Sequence, residues 1–429
     1  MANSNRIVLI TYYWPPSGGS GVQRWLKFVK YLSKQGHNVH VITPENPAFF
    51  VQEETLSREI PKDVVVHKLP IWEPTMLFGG KGKNKLSSNK LGSSDKSLFV
   101  KVVSWIRGNL LIPDGRVFWV KRVRKYLKHL LDTEDVNAII TTGPPHSIHM
   151  IPLNIDRDKN VKWIADFRDT WSQIDFLQEF GTTQWAMMRH RVLEKRVMQN
   201  ADIVTTVNQK TAELLEEVSG RAIELLYNGY DPEDFKSKSS NKNTNKFIIS
   251  HFGLLNNLRY PENLFGVLEE LCRENADFQR DLQIELGGII EDHIIERLVD
   301  SPELGKCFIN CGYLSHEEVI DRYLNSSLLL LLLNNSELGK TIMTGKVYEY
   351  VASGTPILGI GYTESEPAKL ISETHTGHFF SYEEKDSLKD YLRDLYADRI
   401  EWQPKIKNIE KFSRSQNVKK LVELIGASK

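Results

Sequence analysis

The chain has 429 residues, 41% of them hydrophobic and 26% charged, which is more than one hydrophobic core usually supports, so two domains of roughly 200 residues each are expected. This composition excludes collagen-like and wholly disordered chains. Lys plus Arg equals Asp plus Glu at 55 each, so a general electrostatic nucleic-acid binder is excluded and any basic surface must be local.

Met1 leads through polar residues straight into Ile7-Val8-Leu9-Ile10, leaving no room for a signal peptide. No apolar run nears the roughly 20 residues of a membrane span, and a cytoplasmic setting is expected. Arg6 to Thr11 predicts a buried strand, and the apolar positions Val22, Trp25, Leu26, Val29 and Leu32 predict a helix that Gly36 stops. Asn38 to Ile42 completes a right-handed βαβ unit. Between strand and helix lies Tyr12 to Gly21, where Gly18 and Gly19 permit close backbone approach and the helix start attracts an anion. This loop is neither the G-x-G-x-x-G fingerprint nor a P-loop, so NAD and ATP lose support. A glycine-rich turn that only permits tight packing is the alternative.

Residues 79–130 carry nine Lys and four Arg against two Asp. Gly79 to Ser97 reads as a loop, and Leu98 to Leu130 as basic amphipathic helices. Such helices either lie on anionic lipid or pack their apolar face on the sheet. Asn137 to Thr141 predicts a strand ending in Thr142-Gly143-Pro144-Pro145-His146-Ser147, which puts His146 on the ligand edge of an open α/β sheet or makes it a structural histidine. Asp156-Arg157-Asp158 imitates a metal-binding D-x-D but precedes a strand, so it reads as a solvated turn. The strand Val161 to Ala165 ends in Asp166, Arg168 and Asp169, either a ligand loop or an internal ion-pair cluster. Helices at Trp185 to Gln199 and Lys210 to Val218 flank a strand at Ile203 to Val207.

Lys236 to Lys246 contains no apolar residue and marks a linker. Beyond it, strands at Phe247 to Phe252, Gln283 to Leu286, Phe308 to Cys311, Leu328 to Leu333 and Ile357 to Ile360 alternate with helices at Pro261 to Arg273, Asp292 to Val299, Lys346 to Ala352, Glu366 to Ser372, Asp386 to Leu395 and Val418 to Ile425. Ser315 and Glu318 have capping-box spacing. Gly253 and Arg259 join a strand to a helix where a pyrophosphate could be clamped. Glu349, in an otherwise apolar helix, is costly to bury unless a partner such as a ribose diol satisfies it. Cys272, Cys307 and Cys311 are too few for a disulfide framework and complete no zinc site.

In order along nearly the whole chain, YYWPPSGGSGVQRWLKFVKYL, TGPPHS, ADFRDTW, YNGYDPEDF, GYLSHEEV and GKVYEYVASGTPIL resemble the family 4 glycosyltransferases. These are retaining enzymes of the GT-B fold, α/β proteins in which two Rossmann-like doubly wound domains face a central cleft. The resemblance implies an N-terminal acceptor-side domain at 1–235 with the basic insertion 79–130, a linker at 236–246, a donor domain at 247–410, and a segment at 411–429 crossing back to the first domain. It implies His146, Asp169 and Glu337 as catalytic groups, and Gly18, Gly19, Arg259, Leu314, Lys346 and Glu349 as donor contacts. Tyr13, Asp166 and Arg168 would form the acceptor-side loops. Glu349 matches the second glutamate of the family's E-x7-E motif, but Thr341 stands where the first belongs, with Glu337 four residues earlier as substitute. Leu264 replaces the lysine often found five residues after the arginine, leaving Lys340 or Lys346 as stand-ins.

The expected reaction is metal-independent and needs no cofactor: a sugar moves from a UDP- or GDP-linked donor to a glycan or lipid-linked acceptor. The expected role is bacterial surface-polysaccharide assembly, with peripheral contact to an anionic membrane surface and no nucleic acid. The rival readings are a GT-B nucleotide-sugar epimerase and a catalytically degenerate assembly partner.

Overall fold

The computed structural model describes residues 4–47, 52–74, 98–173, 177, 180–236, 245–335, 343–398, 404 and 406–427. They form two compact units, Met1–Asn228 with Arg414–Lys429, and Gly229–Ser413. In the first unit β1 (Arg6–Ile10), α1 (Ser20–Lys34), β2 (Asn38–Pro44) and β3 (Val65–Leu69) precede α2 (Leu98–Asn109) and α3 (Val117–Thr133). Then come β4 (Ala138–Gly143), β5 (Lys162–Phe167), α4 (Gln184–Asn200), β6 (Ile203–Thr206), α5 (Gln209–Ser219) and β7 (Glu224–Leu225). The strands pair in parallel in the order β3-β2-β1-β4-β5-β6-β7. The order reverses direction between β1 and β4, the switch point at which open α/β sheets bind ligands.

In the second unit α6 (Glu233–Lys236) leads to β8 (Phe247–Phe252), α7 (Glu262–Glu274), α8 (Ala276–Asp281), β9 (Leu282–Gly287), α9 (Asp292–Val299), β10 (Phe308–Gly312) and α10 (His316–Asn325). They are followed by β11 (Leu328–Leu332), α11 (Lys346–Ser353), β12 (Ile357–Ile360), α12 (Glu366–Thr374), β13 (Gly377–Phe380) and α13 (Asp386–Tyr396). The sheet is parallel in the order β10-β9-β8-β11-β12-β13, with its switch point between β8 and β11. The leucine strand β11 is buried along its length, as a central parallel strand covered on both faces must be. The Ser315–Glu318 capping box is present at the start of α10.

The chain divides after Asn228 rather than in the polar run 236–246, of which 237–244 lie outside the described residues. Gly229 to Lys236 goes with the second unit: Tyr230 N donates to Phe412 O at 3.3 Å, and His316 Nε2 and Asp234 Oδ2 are 2.9 Å apart. The expected return segment at 411–429 begins instead at Arg414, where α14 (Arg414–Gly426) re-enters the first unit. Three strands escaped the sequence patterns. β3 and β13 are short edge strands with exposed polar positions, and β7 has two residues.

The basic helices divide between the two readings. Trp119, Val120, Val123, Leu127 and Leu130 of α3 are buried in the core under β1, β4 and β5, so this helix is a core element, and its apolar face is not a lipid face. In α2, by contrast, Val102, Trp105 and Ile106 are exposed. Gly79 to Ser97 lies outside the described residues. On the sheet's opposite face, α1 buries Val22, Trp25, Val29 and Leu32 together with Val418, Leu421 and Ile425 of α14.

That shared core makes α14 part of the first unit's stability. Leu421→Ala should lower unfolding free energy by about 2–5 kcal/mol, the cost of truncating a fully buried leucine. Urea denaturation followed by tryptophan fluorescence checks this.

Candidate functional site

In the first unit the chemistry begins at the end of β5. Asp166 is fully buried. Its Oδ1 accepts from Arg24 Nη2 at 2.8 Å and Thr205 Oγ1 at 2.9 Å, and its Oδ2 from Trp25 Nε1 at 2.9 Å and Thr142 Oγ1 at 2.8 Å. Two acceptor positions on each oxygen are thereby filled. Asp166 is a structural node rather than part of the acceptor loop, which corrects the sequence-based assignment. Arg168, next along, donates from Nε to Gly143 O, from Nη1 to Gly21 O and from Nη2 to Pro144 O at 3.1, 3.1 and 2.8 Å. It ties the loop after β5 to the first turn of α1 and to the end of β4 with the residue that follows it. Asp169 is exposed at the surface of the same loop.

The His146–Met150 turn follows β4. Asp114 fixes its start by accepting from Ser147 N and Oγ, both at 2.8 Å, and Arg124 fixes its end through the carbonyls of Met150 and Ile151. Burial, reinforced by His149 and Arg168, holds the His146 pKa well below its ordinary value. Its ring lies parallel to Trp171 at 5.3 Å between centroids and 4° between planes. Neither ring nitrogen has a hydrogen-bond partner among the described residues. His149, pushed down to about 3 by burial and then Arg168, bonds through Nδ1 to Thr141 Oγ1 at 2.9 Å, and its Nε2 has no partner among the described residues. A Cβ on Gly143 would lie 2.6 Å from His149 Nε2 and 3.0 Å from His146 Nδ1, so glycine lets the two rings approach the backbone.

In the loop after β1, Gly19 is the N-cap of α1 with φ 93°, a conformation that favours glycine, and it is exposed beside Gly18. Tyr13 packs edge-on against Tyr12 at 4.9 Å. Tyr12 in turn donates to buried Glu73 at 3.0 Å, and Arg116 Nε pairs with the same carboxylate at 2.9 Å.

The second unit assembles cations at its switch point. Arg259, in the loop after β8, donates from Nε to Asn334 Oδ1 at 2.6 Å in the loop after β11. Lys346 opens α11, and a Cβ on Gly253 would overlap its Nζ. Burial, then Arg259, pushes the Lys346 pKa down to about 8, opposed by Glu349 one turn along the helix. Among the described residues neither cation has a carboxylate at ion-pair distance. Behind them His251 donates from Nδ1 to Leu330 O at 2.9 Å, while Nε2 has no partner among the described residues. Burial, then Lys346, lowers its pKa to about 3. The Gly253 backbone also packs on Gly288, where a Cβ would come within 2.6 Å of Gly253 O.

The structure thus brings Arg259, Lys346 and Glu349 together, and separately His146 with Asp169, Arg168, Gly18, Gly19 and Tyr13 on adjacent loops. Leu314 lies half-buried between β10 and α10. Glu337, Lys340 and Thr341 lie outside the described residues. Sequence reasoning missed His251, Asn334, Trp171, His190 and Glu194. The last two had a signal: Ala186, His190, Glu194 and Val197 fall on one buried face of α4, and polar residues in an apolar stripe need an internal partner.

A family model described as Glycosyltransferase Family 4 matches residues 19–234. WaaG, "a glycosyltransferase involved in lipopolysaccharide biosynthesis", shares the fold at TM-score 0.55 and 12% identity, over 97% of this chain and 95% of that one. TarM does so at 0.61 and 10%, over 99% of each. A putative UDP-N-acetylglucosamine 2-epimerase from Listeria monocytogenes matches at 0.58 and 12%, over 99% and 96%. No curated protein matches the sequence. The shared architecture is the GT-B fold of two parallel-sheet, Rossmann-like domains.

Asp166→Asn removes one partner of a buried ion pair and should destabilise the protein by about 3–5 kcal/mol. A urea-denaturation midpoint equal to that of the wild type would contradict this assignment.

Proposed function

We propose that this chain, which belongs to glycosyltransferase family 4, moves a sugar from a UDP- or GDP-linked donor to a hydroxyl of a glycan or lipid-linked acceptor. Anomeric configuration is retained, and the setting is bacterial surface-polysaccharide assembly. The observation that carries this reading is Lys346 over Gly253 with Arg259 nearby. Two neighbouring cations, Lys346 at the start of α11 and Arg259 in the loop after β8, without a carboxylate at ion-pair distance among the described residues, form a receptor for a dianionic group.

A donor diphosphate there places its ribose hydroxyls at Glu349, which accepts from both. As the bond between the anomeric carbon and the diphosphate oxygen breaks, negative charge grows on the leaving group. The preset guanidinium and ammonium stabilise that charge without reorganisation, in place of a divalent ion. The acceptor oxygen then bonds to the anomeric carbon. His146, neutral because it is buried, offers its ring nitrogens to a sugar hydroxyl.

Calorimetric titration with UDP, GDP, ADP and NAD should show selective binding of one nucleoside diphosphate. Glu349→Ala and Lys346→Ala should each weaken it by about 1.5–3 kcal/mol, the scale of a charged hydrogen bond. Anion binding favours charged Lys346, so wild-type affinity should fall between about pH 7 and 9.5 as the amine loses its proton, and the fall should be absent in Lys346→Ala. Equal affinity in all three proteins would refute the site. Conversion of a donor without any acceptor would return the epimerase reading.

Membrane contact is supported by the exposed side chains Trp105, Ile106 and Leu110 at α2 and Trp185, Met188 and Val192 on α4, beside exposed Arg107, Arg189, Arg191 and Lys195. Asn109 ties the two helices, donating from Nδ2 to Trp105 O and Gly181 O and accepting from Thr183 N. No described helix is long and apolar enough to cross a membrane. Sedimentation with liposomes should show binding that needs anionic lipid, lost on charge reversal at Arg189, Arg191 and Lys195. Equal pelleting of wild type and variant would remove the membrane from the proposal.

A further inference from the structure

α4 has an inner face that the function described so far does not use. Glu194, fully buried, accepts from two consecutive backbone amides, Trp171 N at Oε1 and Ser172 N at Oε2, both at 3.2 Å. One turn earlier, buried His190 accepts the indole proton of Trp171 at Nδ1, at 3.0 Å. Trp171 is therefore held at both its backbone and its ring. The held ring lies flat on His146, whose other neighbours are Phe167 at 5.8 Å and His149 at 5.9 Å between centroids.

A carboxylate buried in the core of a helix-covered sheet is unfavourable unless its oxygens are satisfied. Here the satisfying donors are loop amides rather than an arginine, so the carboxylate's stabilisation is tied to one conformation of the loop. The loop immediately follows Asp169 and Arg168, and its aromatic ring is one wall of the His146 site. Loss of the grip frees Trp171 to leave the stack and lets water reach the His146 imidazole.

We propose that Glu194 and His190 are positioning residues for the transfer reaction: by gripping Trp171 they hold its indole against His146, fixing the plane of that imidazole and excluding water from it. This rests on the reading of His146 as part of the transfer site. The ionisable groups facing His146 are His149 from its own turn, Arg168 from the loop after β5 and His190 from α4.

The test has two readouts on the full-length protein. Carbethoxylation by diethyl pyrocarbonate, mapped by peptide mass spectrometry, reads access to His146 without requiring turnover. Release of UDP or GDP from UDP-glucose, UDP-N-acetylglucosamine and GDP-mannose reads catalysis. Glu194→Ala and His190→Ala should each raise the His146 modification rate and lower kcat by about tenfold, with the donor KM changed less than about twofold. Glu194→Gln, which keeps one acceptor oxygen, should recover part of both. Trp171→Phe should keep His146 shielded where Trp171→Ala does not, because the phenyl ring preserves the stack. Should Glu194→Ala fail to fold, Glu194→Gln and the two Trp171 variants carry the test.

If His146→Ala abolishes turnover while the Glu194 and His190 variants neither expose His146 nor lower kcat, the positioning proposal alone is overturned. If His146→Ala leaves turnover intact, the reading of His146 falls, and the proposal falls with it. Where none of the three donors is turned over, unchanged protection of His146 in every Glu194, His190 and Trp171 variant overturns it.

Discussion

A carboxylate with no exposure to water organises the first domain. Asp166 ends β5, and its four donors come from α1, β4 and β6, so one side chain ties the first crossover helix to the two strands that flank β5. Such a group is tolerable only when every lone pair is used and each donor is rigidly held. Arg24, the charged donor, is itself fixed by Leu226 O at 2.7 Å and lies over the Phe28 ring at 4.9 Å. Rigidity in this layer makes precise loops possible above it: Arg168, two residues on, reaches three carbonyls, at the first turn of α1, the end of β4 and the residue after it, from a strand end held in place.

The two units use the same sheet topology and open their ligand edges in opposite electrostatic states. In the first, burial keeps His146 and His149 neutral, leaving hydrogen-bonding capacity beside the single guanidinium of Arg168 among the described residues that act on them. In the second, burial and then the nearby Arg259 depress the pKa of Lys346, so that a bound anion relieves repulsion as well as supplying attraction. A phosphate-bearing group suits the second environment and an uncharged hydroxyl-bearing one the first.

Much of this was legible from residue order. Strand and helix identities followed from apolar periodicity, and the capping box at Ser315 followed from spacing alone. Lys346 was within reach as a stand-in because its position at a helix start is readable, whereas its seat over Gly253 depends on a fold that brings β8 and α11 together. Asp166 was read equally as a ligand and as an ion-pair member, since a strand-end carboxylate near an arginine looks the same in both cases. Its true partner is Arg24, 142 residues away, and no local pattern encodes that pairing. The helix α3 misled for a related reason: its basic residues mark the solvent side of a core helix as readily as a lipid-facing one.

The first domain is assembled from two stretches of chain, with the whole second domain encoded between them. During synthesis the ribosome releases Gly229–Ser413 in one continuous piece, able to close its own core at once. The earlier stretch has to wait with Trp25 and Val29 incompletely covered until Val418, Leu421 and Ile425 emerge. Domains commonly mature in the order they are made; here the core of the first cannot be completed until α14 has been made, after the whole of the second.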